Sequence, residues 1–312
     1  MMPFGFNAMP HQFSRALPAP CSHSTPSTQT LFRWLVVCVL LLVTPAASSD
    51  PLSRFSSLLQ AVQTVRASET GAEEPQSKIL SAYHGLDALP AGANVLCPIA
   101  VAGEDGMPVV FSVQIDSNSV VADAFQVETA SGDMVTPICA TLAPALEMQE
   151  QRTVLLAGSF GTRNGPPLAV EVVGALEDIN RQSLQGERFT KITPLEAGPS
   201  LVLAERFEVD APGIVGECPA ATLQVVQITW EGGVSGPMGS ALGEPQRLGI
   251  SVQLQDGRTL TPIALADDDP DNHVLVCLDV AVAAVSVAAA PGLFHDPGDD
   301  PNPETSINVG PS

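Results

Sequence analysis

Residues 125–141 read FQVETASGDMVTPICAT, and residues 250–266 read ISVQLQDGRTLTPIALA. The two stretches align without a gap at an offset of 125 and share five of their 17 residues, including the tripeptide Thr-Pro-Ile. Apolar and polar residues alternate in both, which is typical of half-buried strands. Asp256-Gly257 between two such runs is a common β-hairpin turn. The sequence therefore predicts the same hairpin in each half of the chain.

The similarity between the halves extends beyond this hairpin. Each half opens with Cys-Pro (Cys97-Pro98 and Cys218-Pro219), and a Val-rich run containing Val-Gln-Ile follows. Short apolar runs separated by turn residues predict a mainly β protein with two tandem antiparallel β-sandwich-like domains. The predicted strands are Val109–Ile115, Ala124–Thr129, Met134–Ala140, Thr153–Ala157, Leu168–Val173, Ser200–Glu205, Leu223–Trp230, Leu248–Gln253, Thr259–Leu265, Val274–Leu278 and Val280–Val287.

We place the two predicted domains at residues 91–209 and 210–312. Pro137 and Pro262 fall inside predicted strands and cannot donate a ladder hydrogen bond. Those strands are therefore expected to lie at sheet edges or to carry a bulge.

The N-terminal region has a different character. Residues 1–49 contain no acid, and a base, an apolar run of about ten residues and a small-residue tail follow the pattern of a signal peptide. A retained membrane anchor is the alternative. Residues 50–90 are predicted to hold a short amphipathic helix, over residues 51–67, and a linker. We expect a secreted, periplasmic or cell-surface protein, with membrane contact only if the leader is not cleaved.

Four cysteines remain after the leader. An even number in an oxidising compartment indicates two disulfides. The offset between the halves places Cys139 and Cys277 on neighbouring strands of equivalent hairpins, where each can face the opening Cys-Pro of its own half. We therefore predict the pairs Cys97–Cys139 and Cys218–Cys277, with four free thiols as the alternative.

The charge balance excludes one class of partner. Residues 50–312 hold 11 bases and 34 acids, a net charge of −23. A surface of this sign repels nucleic acid, which needs basic side chains to pair its phosphates. The expected partner is instead a protein or another surface ligand.

Two acidic stretches are candidate calcium loops. Clustered carboxylates on turns can supply the six to eight oxygens that calcium requires, although neither stretch has the spacing of an EF-hand. The alternative is that these residues are solvated turn formers. The candidate ligands are Asp267, Asp268, Asp269 and Asp271 in one stretch and Asp296, Asp299 and Asp300 in the other.

The sequence lacks the common catalytic motifs. It contains no G-x-S-x-G, H-E-x-x-H, G-x-G-x-x-G or G-x-x-x-x-G-K-[ST]. We therefore expect an exported, acidic, non-enzymatic binding or surface-structural protein that calcium stabilises. The alternative hypothesis is a secreted hydrolase that uses His273 or His295 with nearby aspartates in the second domain.

Overall fold

The computed structural model describes residues 78–214, 217–266 and 271–311. The predicted leader and the predicted helix at 51–67 lie outside these residues. The described part of the chain is mainly β and forms four sheets, which pack as two sandwiches. Among the described residues, no helix is long and apolar enough to cross a bilayer.

The first sandwich consists of two four-stranded sheets. Sheet 1 has the strand order β1-β2-β6-β5 and sheet 2 has the order β4-β3-β7-β8. Neighbouring strands in both sheets are antiparallel. The bounds are β1 Ile79–Ala82, β2 Asp105–Phe111, β3 Phe125–Glu128, β4 Met134–Val135, β5 Cys139–Thr141, β6 Thr153–Gly158, β7 Ala169–Val172 and β8 Arg188–Phe189.

The second sandwich repeats this arrangement. Sheet 3 has the order β13-β14-β10-β9-β17, and sheet 4 has the order β12-β11-β15-β16. Its additional strand, β17, runs parallel to β9. The bounds are β9 Leu201–Phe207, β10 Gln224–Trp230, β11 Ile250–Leu254, β12 Thr259–Leu260, β13 Ala264–Ala266, β14 His273–Leu278, β15 Ala284–Ala289, β16 Thr305–Asn308 and β17 Gly310–Pro311.

Helical structure in the described residues is short and lies between strands. The one α-helix there, α1, spans Glu244–Gly249 and precedes β11 directly. The 3-10 helices are Ala91–Val95, Ser117–Ser119, Ala122–Ala124 and Pro237–Gly239.

The predicted hairpins form in both sandwiches with the same register. Val127 pairs with Val135 in the first, and Val252 pairs with Leu260 in the second, which reproduces the offset of 125. The turn glycines, Gly132 and Gly257, have φ values of 86° and 87°. A side chain disfavours this left-handed conformation, so glycine is the residue that closes each hairpin with least strain.

The Thr-Pro-Ile motif is a sheet-switching corner. The predicted strands Met134–Ala140 and Thr259–Leu265 are each interrupted at the motif, and the chain passes there from one sheet of its sandwich to the other. The flanking strands β4, β5, β12 and β13 are all edge strands, as predicted from the prolines.

One boundary prediction needs correction. The predicted division between residues 209 and 210 leaves β9 in the first domain, but β9 pairs with β10 and belongs to sheet 3. Similarly, β1 lies within the predicted 50–90 segment and pairs with β2 in sheet 1. Long-range pairing decides which sheet an end strand joins, and the local sequence does not report that pairing.

Both predicted disulfides are present. Cys97–Cys139 ties the segment after the first 3-10 helix to β5, and Cys218–Cys277 ties the corresponding segment of the second half to β14. The second cysteines lie on opposite members of an equivalent strand pair, since Cys139 pairs with Ala157 on β6 and Cys277 pairs with Ala264 on β13. The two bridges therefore tie equivalent segments to the same strand pair. The second cysteine lies on the edge strand β5 in the first sandwich and on the inner strand β14 in the second.

Each disulfide should contribute separately to stability. The bridges close segments with sequence separations of 42 and 59. In the chain-entropy model, either double Cys→Ala variant is expected to lose about 4 kcal/mol of unfolding free energy. Urea unfolding of the two variants measures this loss, and a loss below about 1 kcal/mol would contradict the entropic account.

Candidate functional site at the junction of the two sandwiches

The two sandwiches meet through the outer faces of sheets 1 and 3. All residues of β10 and β14 are buried, although only alternate ones point into their own core. Val226, Ile228 and Trp230 belong to that core. On the opposite face of the same strands, Thr229 pairs with His273 across the ladder, and His273 contacts Thr153 of the first sandwich. Both faces of β10 and β14 are therefore covered.

The centre of the junction is a polar cluster around His273. Its Nε2 lies 3.5 Å from Oγ1 of Thr153, which belongs to the first sandwich, and its Nδ1 lies 3.2 Å from Oγ1 of Thr229. Asn272 donates from Nδ2 to Thr153 Oγ1 and to the Trp230 carbonyl oxygen, at 3.0 and 2.8 Å. Thr153 is thus paired with Asn272 and His273 across the two halves, which limits the cost of removing these three side chains from water.

His273 is held in its neutral form. Burial, aided by the nearby charge of Arg152, lowers the pKa of His273 to about 3, against the opposing hydrogen bond to the Glu150 backbone carbonyl. The imidazole is therefore uncharged at neutral pH.

A buried ion pair lies beside the histidine. Arg152 Nη2, in the first sandwich, is 2.8 Å from Glu205 Oε2, on β9 of the second. Burial lowers the pKa of Arg152 and raises that of Glu205, and in each case it outweighs the attraction of the partner. The cost of removing the two charges from water therefore offsets much of the attraction between them.

Tyr83 forms a third cross-junction contact. Its hydroxyl lies 2.6 Å from Asp296 Oδ2 and 2.7 Å from the Ala197 carbonyl oxygen. Burial, reinforced by this hydrogen bond, raises the pKa of Tyr83, and burial also raises the pKa of Asp296. A Cβ on Gly85 or on Gly232 would lie 2.5 Å from a ring atom of Tyr83. The two glycines therefore make room for the ring between the halves.

Three carboxylates converge at one side of the junction. Glu147, Glu150 and Asp271 each offer an oxygen atom within 4.8 Å of the other two. Glu150 and Asp271 are 4% and 2% exposed, whereas Glu147 is exposed. The glutamates belong to the turn before β6, and Asp271 lies just before β14. We call these three residues the carboxylate cluster.

Protein donors orient the two buried members. The His273 backbone N–H donates to Asp271 Oδ1 at 2.6 Å, and Gln227 Nε2 lies 3.4 Å from Glu150 Oε1. The turn that carries both glutamates includes Gln149 with a φ of 82°, a left-handed conformation that costs a non-glycine residue energy. The strained residue therefore lies between the two glutamates of the cluster.

The predicted calcium ligands separate into two groups. Asp271 belongs to the carboxylate cluster, and Asp267, Asp268 and Asp269 lie outside the described residues. The sequence reasoning missed Glu147 and Glu150, because only the tertiary contact brings them to Asp271. In the sequence, the three-residue spacing of these two glutamates in a turn was the feature that could have pointed to the site.

The second predicted loop uses its carboxylates within the protein. Asp296 accepts from the Asp300 backbone N–H, at 2.8 Å, and from Tyr83. Asp299 Oδ1 accepts from the Met238 backbone N–H and lies 2.8 Å from His295 Nδ1. Within the described residues, Asp296, Asp299 and Asp300 do not form a convergent group of three metal-binding side chains.

The two histidines of the hydrolase hypothesis lie in separate surroundings. His273 is enclosed between the sandwiches, whereas His295 lies on the turn with Asp299. The structure therefore does not bring them together with the aspartates as one set.

A cavity of about 270 Å³ lies next to the carboxylate cluster. The first sandwich supplies most of its wall, and Gly232, Gly233, Asp271, Asn272 and Pro297 supply the side that belongs to the second. Asp271 thus belongs to both the cluster and the cavity.

Comparison with known proteins adds little to this geometry. No protein-family model and no curated protein matches the sequence. A search of solved structures finds the N-terminal part of the bacterial S-layer protein SbsC, with a TM-score of 0.27 and 12% identity. The match covers 82% of this chain and 48% of the other, so this chain spans about half the length of that one. A likeness this low supports no conclusion about fold or function.

The neutral state of His273 predicts a specific pH dependence. Because its pKa in the folded protein, about 3, is below the ordinary 6.5, its contribution to stability is complete above pH 6.5 and is lost as the pH falls towards 3. Relative to His273→Gln, the wild type should lose about 1.4 kcal/mol of unfolding free energy per pH unit between pH 6 and 4.

Urea unfolding of both proteins at pH 4, 5, 6 and 7 measures this difference. The raised pKa values of Glu205, Glu231 and Asp296 oppose the trend, since their stabilising effect is largest at low pH, but they are common to both proteins and cancel. A difference that does not change with pH would show that His273 does not titrate in this way.

Proposed function

We propose that this protein is an exported, acidic, non-enzymatic structural or binding module whose two sandwiches are tied together by calcium. The observation that carries the proposal is the carboxylate cluster, because it draws ligands from both sandwiches. A cation bound there links the two halves of the protein.

Electrostatics favours a cation at this position. Three carboxylates with oxygens within 4.8 Å repel one another, and the repulsion is stronger for the two that are buried. The repulsion adds to that of a chain with a net charge of −21. A divalent cation removes it and replaces it with attraction to all three groups.

The donor set favours calcium over softer metals. All three side chains of the cluster offer oxygen, and calcium takes six to eight oxygen ligands, often including water. Zinc and copper prefer sites that include imidazole or thiolate. Asp267, Asp268 and Asp269 adjoin Asp271 in the sequence and remain predicted contributors of further oxygens.

The compartment agrees with a calcium-dependent module. Two disulfides are typical of secreted and cell-surface proteins, and the predicted leader suits export. Extracellular modules bind calcium with dissociation constants on the order of 10⁻⁴ to 10⁻³ M. Binding of this strength matches a structural role in a medium rich in calcium.

The surroundings of His273 support the non-enzymatic part of the proposal. His273 is buried and neutral, and its ring contacts Thr153 and Thr229. A group in this setting lacks access to a substrate and does not exchange protons near neutral pH, so it suits a structural role better than general-base catalysis.

Calcium should raise the thermal unfolding midpoint of the mature protein. Calcium at 100 times its dissociation constant stabilises the folded state by about 2.7 kcal/mol. For a domain of this size the corresponding increase in midpoint is roughly 5–10 °C. Scanning calorimetry in EDTA and at increasing calcium concentration measures the increase.

Matched variants locate the site. Glu150→Gln and Asp271→Asn keep the size of the side chain and remove one charge each, so the increase in midpoint with calcium should fall to below about 2 °C. Glu304→Gln removes an exposed charge elsewhere and should retain the full increase. An equal increase in all four proteins, or none in the wild type at 10 mM calcium, would contradict the proposal.

A further inference from the structure

The cavity beside the junction has an apolar body and one polar side. Its first-sandwich wall includes Leu86, Leu89 and Leu96, near the first disulfide, together with Pro108, Leu142 and Leu155. An apolar cavity with a few placed polar groups is the usual form of a small-molecule site in proteins. Its volume of about 270 Å³ exceeds the 150 Å³ of an engineered apolar cavity that binds benzene.

Asn272 presents an open acceptor on the polar side. Both of its amide protons are used, by Thr153 Oγ1 and by the Trp230 carbonyl. The orientation of the amide is determined, because the carbonyl oxygen of Trp230 can only accept and would repel Oδ1. Oδ1 has no hydrogen-bond partner among the described residues, although the side chain is only 3% exposed.

The other polar groups of the wall make it an acceptor surface. Asp271 lines the cavity next to Asn272, and its carboxylate also belongs to the carboxylate cluster. The Tyr83 hydroxyl is directed to Asp296 and Ala197, and Thr153 Oγ1 lies between Asn272 and His273. A ligand must therefore supply the donors.

We propose that this cavity binds a small organic ammonium, with its apolar body against the leucines and its N–H groups directed to Asn272 Oδ1 and the Asp271 carboxylate. An ammonium supplies donors and a positive charge together, and hydrogen bonds to charged groups are about twice as strong as neutral ones. A carboxylate ligand of the same size is repelled by the same wall. The cavity volume suits one aromatic ring with a short chain.

The test compares three probes that differ only in the polar group. Calorimetric titration of the mature protein at pH 7 in EDTA uses 2-phenylethylammonium, 2-phenylethanol and 3-phenylpropionate. We expect the ammonium to bind at least about tenfold more tightly than the alcohol, which corresponds to about 1.4 kcal/mol, and the carboxylate not to bind. Equal affinities, or no binding of the ammonium at millimolar concentration, would overturn the proposal.

Variants place the ligand within the cavity. Leu155→Trp fills the apolar side and should abolish binding of the ammonium, whereas Leu168→Phe enlarges an exposed side chain outside the cavity and should not change it. If Leu155→Trp fails to fold, Ala93→Leu fills the wall near the disulfide instead. If the ammonium still binds to both Leu155→Trp and Ala93→Leu, its site lies outside this cavity and the proposal is refuted.

The charge variant separates this inference from the calcium proposal. Asp271→Asn should reduce the preference for the ammonium over the alcohol to about threefold or less while the alcohol still binds. Because the titrations contain EDTA, this ratio is independent of calcium, and the calcium-dependent increase in unfolding midpoint is measured without the probes. An unchanged ratio in Asp271→Asn would show that this carboxylate does not meet the ligand.

Discussion

The contact between Thr153 and His273 across the two sandwiches is the constraint on which the rest of the structure depends. It places polar side chains on strands that are covered on both faces, where each unpaired group would cost free energy. Contacts of the His273 ring with Thr153 and Thr229, together with the neutral state of the imidazole, reduce this cost. The polar contact between Thr153 and His273 is thus formed only when the two sandwiches are joined.

The candidate site lies beside the same contact. There the turn with Glu147 and Glu150 meets Asp271, and Asn272 lines the apolar cavity together with residues of the first sandwich. Neither sandwich contains the carboxylate cluster or the cavity by itself. Under both proposals, ligand binding would therefore be coupled to the alignment of the halves, since a ligand that contacts residues of both sandwiches stabilises only the joined arrangement.

Local patterns predicted the elements, and long-range contacts determined the site. Alternating residues and the turn at Asp256-Gly257 led to both hairpins, and the offset between the halves led to both disulfides. Two-residue strands such as β8 are too short to show a pattern, and the sheet that β9 joins depends on β10. The approach of Glu150 to Asp271 joins residues 121 positions apart, which periodicity does not report.

The strand registers also show how the junction closes. Thr153 pairs with Val110 on β2, and His273 pairs with Thr229 on the equivalent strand β10, so the two residues that meet occupy matching places in their sandwiches. The central contact of the junction therefore joins two equivalent positions of the repeated fold, so duplication of one strand pattern supplied both of its partners.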